Sequence, residues 1–557
     1  MVQYRLLIAL AALCLVLSPQ SRAEQSPARS APAEKNPVVH APAGALEGSS
    51  QAALDVFKGI PYALPPVGAR RWKPPAPMPA WQGVRKATQF GPACFQPKAK
   101  VPSVYSDDIG PMSEDCLTLN VWVPKGAHNM PVFFWIYGGA LWSGASDDPL
   151  YDGARIAARG HVIVVSINYR LGVLGWLAHP GLSAESPLGI SGNYGLLDQI
   201  QALKWVKQNI AAFGGDASKV TIAGESAGGL SVMYLMASPE ARGLFSKAIA
   251  ESSYMVSTPL LKGVKYGSQS AEQGGLAFAK AVHAPDIAAL RAMDPAVLTE
   301  EAAADHFLPF GAVDGHVLPH QITAIFDSGE QAHVPILAGF NSGEIRSLRV
   351  LAPQPPDSVA KYESVIRSQY GDMADEFLRL YPSTNMPESI LATTRDMLYG
   401  WSAERLVRRQ TAQGEPSYLY FWDHGYPAAD EAHLHGFHAS ELPFVFGNLH
   451  ATPPLWPKVP ATPEQSVLSD AMIGYWTSFV RTGKPVAENE PDWPAFDATD
   501  AYMAFTDGPH PSEHLLPGMY KFNEEVVCRR YQSGVEAWNW NVGLWSPKIP
   551  PQNPKCR

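Results

Sequence analysis

The sequence predicts an α/β fold in which a large, mostly parallel sheet is flanked by helices. Three observations carry that prediction. The runs PVFFWIYGGA around Val132 and HVIVVSINYR from His161 are short, nearly continuous apolar stretches closed by Gly or polar residues, the pattern of strands buried on both faces. Between them and the next strand, Gly195 to Phe213 sets Leu196, Leu197, Ile200, Leu203 and Val206 at helical spacing, with Lys204 and Lys207 turned outward, as a crossover helix requires. The run Val220 to Ala223 then passes directly into Gly224-Glu225-Ser226-Ala227-Gly228 and the helix-prone GLSVMYLMAS, giving strand, turn and helix in succession.

Composition agrees with a large folded core. Of 557 residues, 46% are hydrophobic and 10% aromatic, which excludes a disordered or fibrous chain. A net charge of −9, from 43 basic and 52 acidic side chains, argues against nucleic-acid binding, which needs an excess of Lys and Arg. With 46 Gly and 51 Pro the chain is rich in turns, and the absence of an internal repeat sets solenoids aside. The N-terminus reads as an address. Arg5, the apolar run Leu6 to Leu17 and the small residues of Ser21-Arg22-Ala23 form a secretory signal over residues 1–23, cleaved near Ala23, so a secreted or periplasmic protein is expected. Residues 24–37 lack apolar periodicity and read as a disordered leader, and 38–557 as a single domain. No later apolar run approaches the roughly 20 residues of a membrane span. Beyond Cys14 in the signal, Cys94, Cys116, Cys528 and Cys556 remain, an even number suited to an oxidising compartment. Proximity favours Cys94 with Cys116 and Cys528 with Cys556, although four cysteines allow three pairings.

The pentapeptide G-x-S-x-G carries the chemistry. A serine on a tight strand-to-helix turn is held in strained geometry, and only small neighbours let the chain turn that sharply, so Ser226 is exposed as a nucleophile. The following helix aims its N-terminal amides at the same point. Upstream, the strand through Ile136 runs into Tyr137-Gly138-Gly139-Ala140, a small-residue loop whose amides can approach a ligand. The backbone N–H groups of Gly139, Ala140 and Ala227 are therefore assigned as an oxyanion hole, each such donor being worth a few kcal/mol, about 2.7–4, of transition-state stabilisation. An acid is sought between Ser226 and a later histidine, the order of this strand-turn-helix arrangement. In VPILAGFNSGE an apolar strand, Val334 to Phe340, ends at Asn341-Ser342-Gly343 and leaves Glu344 at its carboxyl end; Asp314, beside Gly315, is the runner-up but reads better as a turn former. His433, His435 and His438 compete for the base. A zinc site built from the same three histidines lacks accompanying carboxylate or cysteine spacing, so no metal and no cofactor are expected.

Several blocks in register resemble the type-B carboxylesterases, a family of α/β-hydrolases that includes cholinesterases and bacterial para-nitrobenzyl esterases. They are FKGIPYALPPVGARRWKPP from Phe57, SEDCLTLNVW from Ser113, NYRLGVLGWL from Asn168, GNYGLLDQIQALKWV from Gly192, FGGD from Phe213 and GESAGG from Gly224, and the match extends over nearly everything after residue 40. The resemblance implies the α/β-hydrolase fold, with long insertions such as 255–330 and 345–400 forming a lid and gorge. It implies a Cys94–Cys116 disulfide, Glu344 as the triad acid and, through HASELPFVFG from His438, that histidine as the base three residues ahead of Glu441. Ala140 departs from it, standing where the family's third loop glycine is usual. The stretch from Leu177 to Asp198 is similar to bacterial members, including esterases of multi-ester natural products such as fumonisin.

The expected reaction is hydrolysis of a small-molecule carboxylic ester through an acyl-enzyme on Ser226. Relatives that keep the fold as adhesion modules commonly lack an intact triad, whereas Ser226, Glu344 and His438 all stand at matching positions here. Acyl transfer to an alcohol would use the same residues. Trp142, just past the loop, reads equally as pocket wall or packed core. The sequence does not fix the oligomeric state.

Overall fold

A computed structural model describes residues 36–539 and 541–556, so the expected signal and most of the leader lie outside the described residues. An eleven-stranded sheet organises the chain. In chain order its strands are β1 (Ser49–Gln51), β2 (Leu54–Pro61), β3 (Thr118–Pro124), β4 (Met130–Ile136), β5 (Ile163–Ile167), β6 (Gly215–Glu225), β7 (Lys247–Glu251), β8 (Ile336–Asn341), β9 (Ser417–Trp422), β10 (Tyr502–Phe505) and β11 (Pro509–Ser512). Across the sheet they run β11-β10-β9-β8-β7-β6-β4-β5-β3-β2-β1. Every pair from β5 through β4, β6, β7, β8 and β9 to β10 is parallel. The outer pairs β10/β11, β3/β5, β2/β3 and β1/β2 are antiparallel.

Burial on both faces explains why the parallel strands are apolar throughout. Val132, Phe134 and Ile136 of β4 point into one core layer, and Phe133 and Trp135 into the other, with none of the five exposed. The first layer is closed by α1 (Tyr194–Asn209), α2 (Ala227–Ala237), α4 (Trp401–Ala412) and α7 (Met519–Ser533), after α3 (Met386–Arg395) and a π-helical turn, Asp396–Gly400, that leads into α4. The second is closed by α6 (Pro463–Thr482), which buries Leu468, Met472, Trp476 and Phe479; α5 (Pro427–Glu431) is a shorter helix before it. Each fully buried side chain of this size contributes about 1.5–3 kcal/mol relative to exposure.

The predicted crossover helix ends earlier than its apolar pattern. It stops at Asn209, and Ile210–Phe213 tightens into a 3-10 turn closed by Gly214 at φ +81. The strand expected over Val334 to Phe340 begins at Ile336, after Pro335, which has no amide hydrogen to give the ladder. The strand expected over Val220 to Ala223 runs from Gly215 to Glu225, with a register shift before Val220.

The order of the strands opens a crevice. After β4 the chain places β5 on one side and then returns to lay β6 on the other, so the loops beyond the carboxyl ends of β4 and β6 diverge, the usual position of a ligand site in such sheets. Arg170, just past β5, ties this region to α1: its Nε and Nη2 donate to the two oxygens of Asp198 at 2.7 Å each, and its backbone N–H donates to the same carboxylate at 3.1 Å. Both side chains are buried. Asp198→Ala would leave the guanidinium without its counter-charge and is expected to lower stability by about 3–5 kcal/mol, read as a shifted urea midpoint.

Candidate active site

Ser226 stands between β6 and α2 with φ 56 and ψ −119, a conformation that costs a residue with a side chain about 1–3 kcal/mol. Its surroundings hold it there. Its N–H donates to the carbonyl of Glu251 at 3.0 Å, and its own carbonyl accepts the N–H of Leu230 at 2.9 Å. The glycines of the pentapeptide are required by contact as well as by turning. A Cβ on Gly228 would lie 2.0 Å from the carbonyl oxygen of Ile136, and one on Gly224 would lie 2.6 Å from that of Gly228. A Cβ on Gly138 would lie 3.0 Å from the Ser226 Cβ, so the loop after β4 and the turn after β6 touch directly.

The loop Gly139-Ala140-Leu141 has φ values of +97, +56 and +61, three successive left-handed residues. Gly139 and Ala140 are exposed, and Ala227 is buried as the first residue of α2. The base of the loop is clamped from several sides. The Tyr169 hydroxyl donates to the Tyr137 carbonyl at 2.9 Å with the two rings stacked 4.7 Å apart. Gln96 receives the Gly144 N–H on Oε1 at 2.9 Å and returns a bond from Nε2 to the Gly144 carbonyl at 3.0 Å. Trp142 is half-buried, edge-on to Phe307 at 6.2 Å.

Glu344 opens the single helical turn Glu344–Ser347 and is fully buried. Its Oε1 accepts the Asn341 N–H at 2.9 Å, and its Oε2 accepts the His438 Nδ1–H. The two segments that carry these side chains are laced together: the Gly343 N–H donates to Gly436 O and the Asn341 side-chain amide to Phe437 O, both at 2.8 Å. Tyr105 fastens the same pair from outside, its hydroxyl lying 2.9 Å from the His438 carbonyl and 2.6 Å from Ser347 Oγ. The Tyr399 ring, on the π-helical turn, lies 5.2 Å from the imidazole.

The opposite nitrogen, His438 Nε2, lies 3.1 Å from Glu225 Oε1, without hydrogen-bond geometry. Ser226 is therefore one residue from the group that meets the imidazole. Glu225 belongs to a buried set of carboxyls with Glu251, Glu344 and Glu441. Burial, then the charges of Glu344 and Glu251, push Glu225 well above the ordinary carboxylate range. Burial pushes Glu251 up to about 8 against the bond it accepts from the Trp476 indole. Burial likewise raises Glu441, with Glu225 and Glu251 adding to it and the Asn341 side-chain amide opposing.

Of the residues singled out from the sequence, Glu344 and His438 are bonded to each other, with Ser226 beside Glu225 on the facing turn. The loop of Gly139 and Ala140 lies against that turn through Gly138. Asp314 is a turn former, accepting N–H bonds from His316 and Leu318 and an amide bond from Asn193. His435 bonds to Asp430, so it and His438 serve separate carboxylates and do not converge on a metal. Both expected disulfides are formed, Cys94–Cys116 and Cys528–Cys556. Sequence reasoning missed Glu225, Glu251, Tyr105 and Gln96. Glu225 alone carried a local signal, an acid inside an otherwise apolar strand-to-turn segment.

Comparison with known proteins adds to this geometry. Residues 35–522 match the model of the carboxylesterase family. The chain belongs to the carboxylesterase family. This carboxylesterase is 35% identical to the fumonisin B1 esterase of Sphingopyxis macrogoltabida over 485 residues, covering 84% of this chain and 86% of that one. It is 36% identical to the para-nitrobenzyl esterase of Bacillus subtilis (strain 168) over 465 residues, covering 81% and 91%. A solved PNB esterase structure superposes with a TM-score of 0.74 at 33% identity, covering 90% of this chain and 99% of that one. The fold is thus that of the α/β-hydrolases, and the protein is a carboxylic ester hydrolase. Because the Gly228 position has no room for a methyl group, Gly228→Ala is expected to destabilise this carboxylesterase by about 3 kcal/mol or more. Ala140→Gly, at an exposed position, is expected to leave stability within about 1 kcal/mol. Thermal unfolding followed by circular dichroism separates the two.

Proposed function

We propose that this carboxylesterase cleaves its ester in two steps through an acyl-enzyme on Ser226, with His438 as proton carrier and Glu344 as its orienting carboxylate. The observation that carries the reading is the buried hydrogen bond from His438 Nδ1 to Glu344. It fixes the tautomer in which Nε2 has a free lone pair, on the side of the ring that faces the Glu225-Ser226 turn.

In the first step Ser226 Oγ attacks the ester carbonyl carbon while its proton passes to His438 Nε2. The carbonyl π pair moves onto oxygen, within the field of the Gly139, Ala140 and Ala227 amides. The Ala227 N–H, at the first position of α2, has no partner within the helix. Collapse of the tetrahedral species expels the alcohol oxygen, which takes the proton from the imidazolium. Water then repeats the sequence on the acyl-enzyme and releases the acid. Glu225, raised by burial and by Glu344 and Glu251, stands here as a neutral acid at neutral pH, so no second anion opposes the developing oxyanion. Glu344 balances the imidazolium that forms beside it.

The same reading makes the protein an exported enzyme acting on small-molecule esters. Two disulfides support the oxidising compartment, and no helix among the described residues is long and apolar enough to cross a membrane. Ser226→Ala is expected to fold normally and to lose about 10⁴-fold or more in kcat on a p-nitrophenyl ester. Rapid mixing of the native enzyme with the same ester should release a burst of p-nitrophenol stoichiometric with enzyme wherever deacylation is slower than acylation. Undiminished turnover by Ser226→Ala would overturn the reading.

A further inference from the structure

His435 lies three residues before His438, on a loop that contains left-handed residues at His433, His435 and Ala439 with φ values of +57, +49 and +67. A loop of that shape has little helical or strand hydrogen bonding of its own to hold it, and its position depends on what its side chains grip. His435 grips two carboxylates from two different elements. Its Nδ1 lies 2.7 Å from Asp430 on α5, and its Nε2 lies 3.2 Å from Asp423, the residue immediately after β9. With both ring nitrogens facing acceptors, the protonated ring satisfies both contacts, whereas the neutral ring has one hydrogen to give.

The fit is close. A Cβ on Gly425 would lie 2.3 Å from His435 Nδ1 and 2.6 Å from Asp430 Oδ1, so the chain beyond β9 wraps the ring without room for a side chain. The charges continue on the other side. Arg395, at the end of α3, faces Asp423, pairs with Asp396 through Nε at 2.7 Å and donates through Nη1 to the carbonyl of Ser342 at 3.1 Å. A line of alternating charge, Asp396, Arg395, Asp423, His435, Asp430, thus runs past both segments of the site: Ser342 leads into Glu344, and His435 leads into His438.

We infer that His435 is a positioning residue of this esterase, its imidazolium clasping Asp423 and Asp430 so that the His438 loop is held at the carboxyl ends of β8 and β9 in register with Glu344. This inference rests on the reading of His438 as the proton carrier. The titration of the clasp agrees with the geometry. The hydrogen bond to Asp423 raises His435 to about 9, burial opposing and Asp430 adding to it. Asp423 is held below the ordinary carboxylate range, its burial outweighed by the His435 bond and by the charges of His435 and Arg395. The sign follows: a histidine raised on folding clasps fully below its unfolded value of about 6.5 and releases as pH rises through about 9.

The test is a set of kcat and KM profiles on p-nitrophenyl butyrate from about pH 6 to 10.5, a range that spans the unfolded and clasped states of the ring. Native enzyme should lose kcat above about pH 9, with KM within about twofold. His435→Gln should lose about tenfold in kcat at neutral pH and no longer show that alkaline limb. His435→Lys, a cation with a higher reference value of about 10.4, should keep kcat within about threefold and move the limb up by about one unit. Asp430→Asn, which removes one acceptor, should move the limb down by about one unit. Native kcat with an unchanged limb in His435→Gln would overturn the inference. If that variant does not fold, an unmoved limb in Asp430→Asn overturns it instead. The parent reading fails separately, on an active Ser226→Ala.

Discussion

The closest approach in the molecule that function depends on is between two pieces of backbone, the end of β4 and the turn after β6. Gly228 sits against the carbonyl of Ile136, and Gly138 against Ser226 itself. Any side chain at either glycine would force the strands apart, and a serine in an unfavourable conformation would then have nothing to hold it there. The strain is sustained because the sheet cannot relax. β4 is paired in parallel on both sides and buried on both faces, so the turn must bend rather than the strand. From that contact follow the position of the nucleophile, the proximity of the amide-bearing loop and the direction of α2.

A second constraint is the accumulation of carboxyls around a single imidazole. Glu225, Glu251, Glu344 and Glu441 are buried together, and like charges in a medium of low dielectric cannot all ionise. Protons therefore remain on Glu225 and Glu441 at neutral pH, and their ordinary acidity is lost to the surroundings. The arrangement differs from the exterior of the same loop, where Asp423 and Asp430 stay charged because His435 and Arg395 face them. Two carboxylate environments thus lie a few residues apart, one neutral and dry, the other charged and half-exposed.

Much of the fold was legible because the code for it is local. The apolar runs at Val132 and His161, the helical spacing from Gly195 and the glycines around Ser226 each describe a segment without reference to distant ones. Cys94 with Cys116 and Cys528 with Cys556 could be anticipated from proximity in the chain. The rest was not legible because it is made at long range. Nothing near Tyr105 reveals that its hydroxyl will reach the backbone of His438, and nothing near Gln96 announces Gly144. His435 illustrates the limit most clearly: the sequence shows three histidines close together, and only the fold shows which carboxylate each one meets.

Gln96 lies two residues beyond Cys94, so the amide that grips both the donor and the acceptor of Gly144 is itself moored by the first disulfide. Reduction of that bond would leave the sheet, its two layers of core and the Glu344–His438 pair untouched, while the mooring of the oxyanion loop slackened. Recombinant material from a reducing cytoplasm would then pass every check of shape and solubility yet turn over slowly, and its redox history, rather than its folding yield, would govern specific activity.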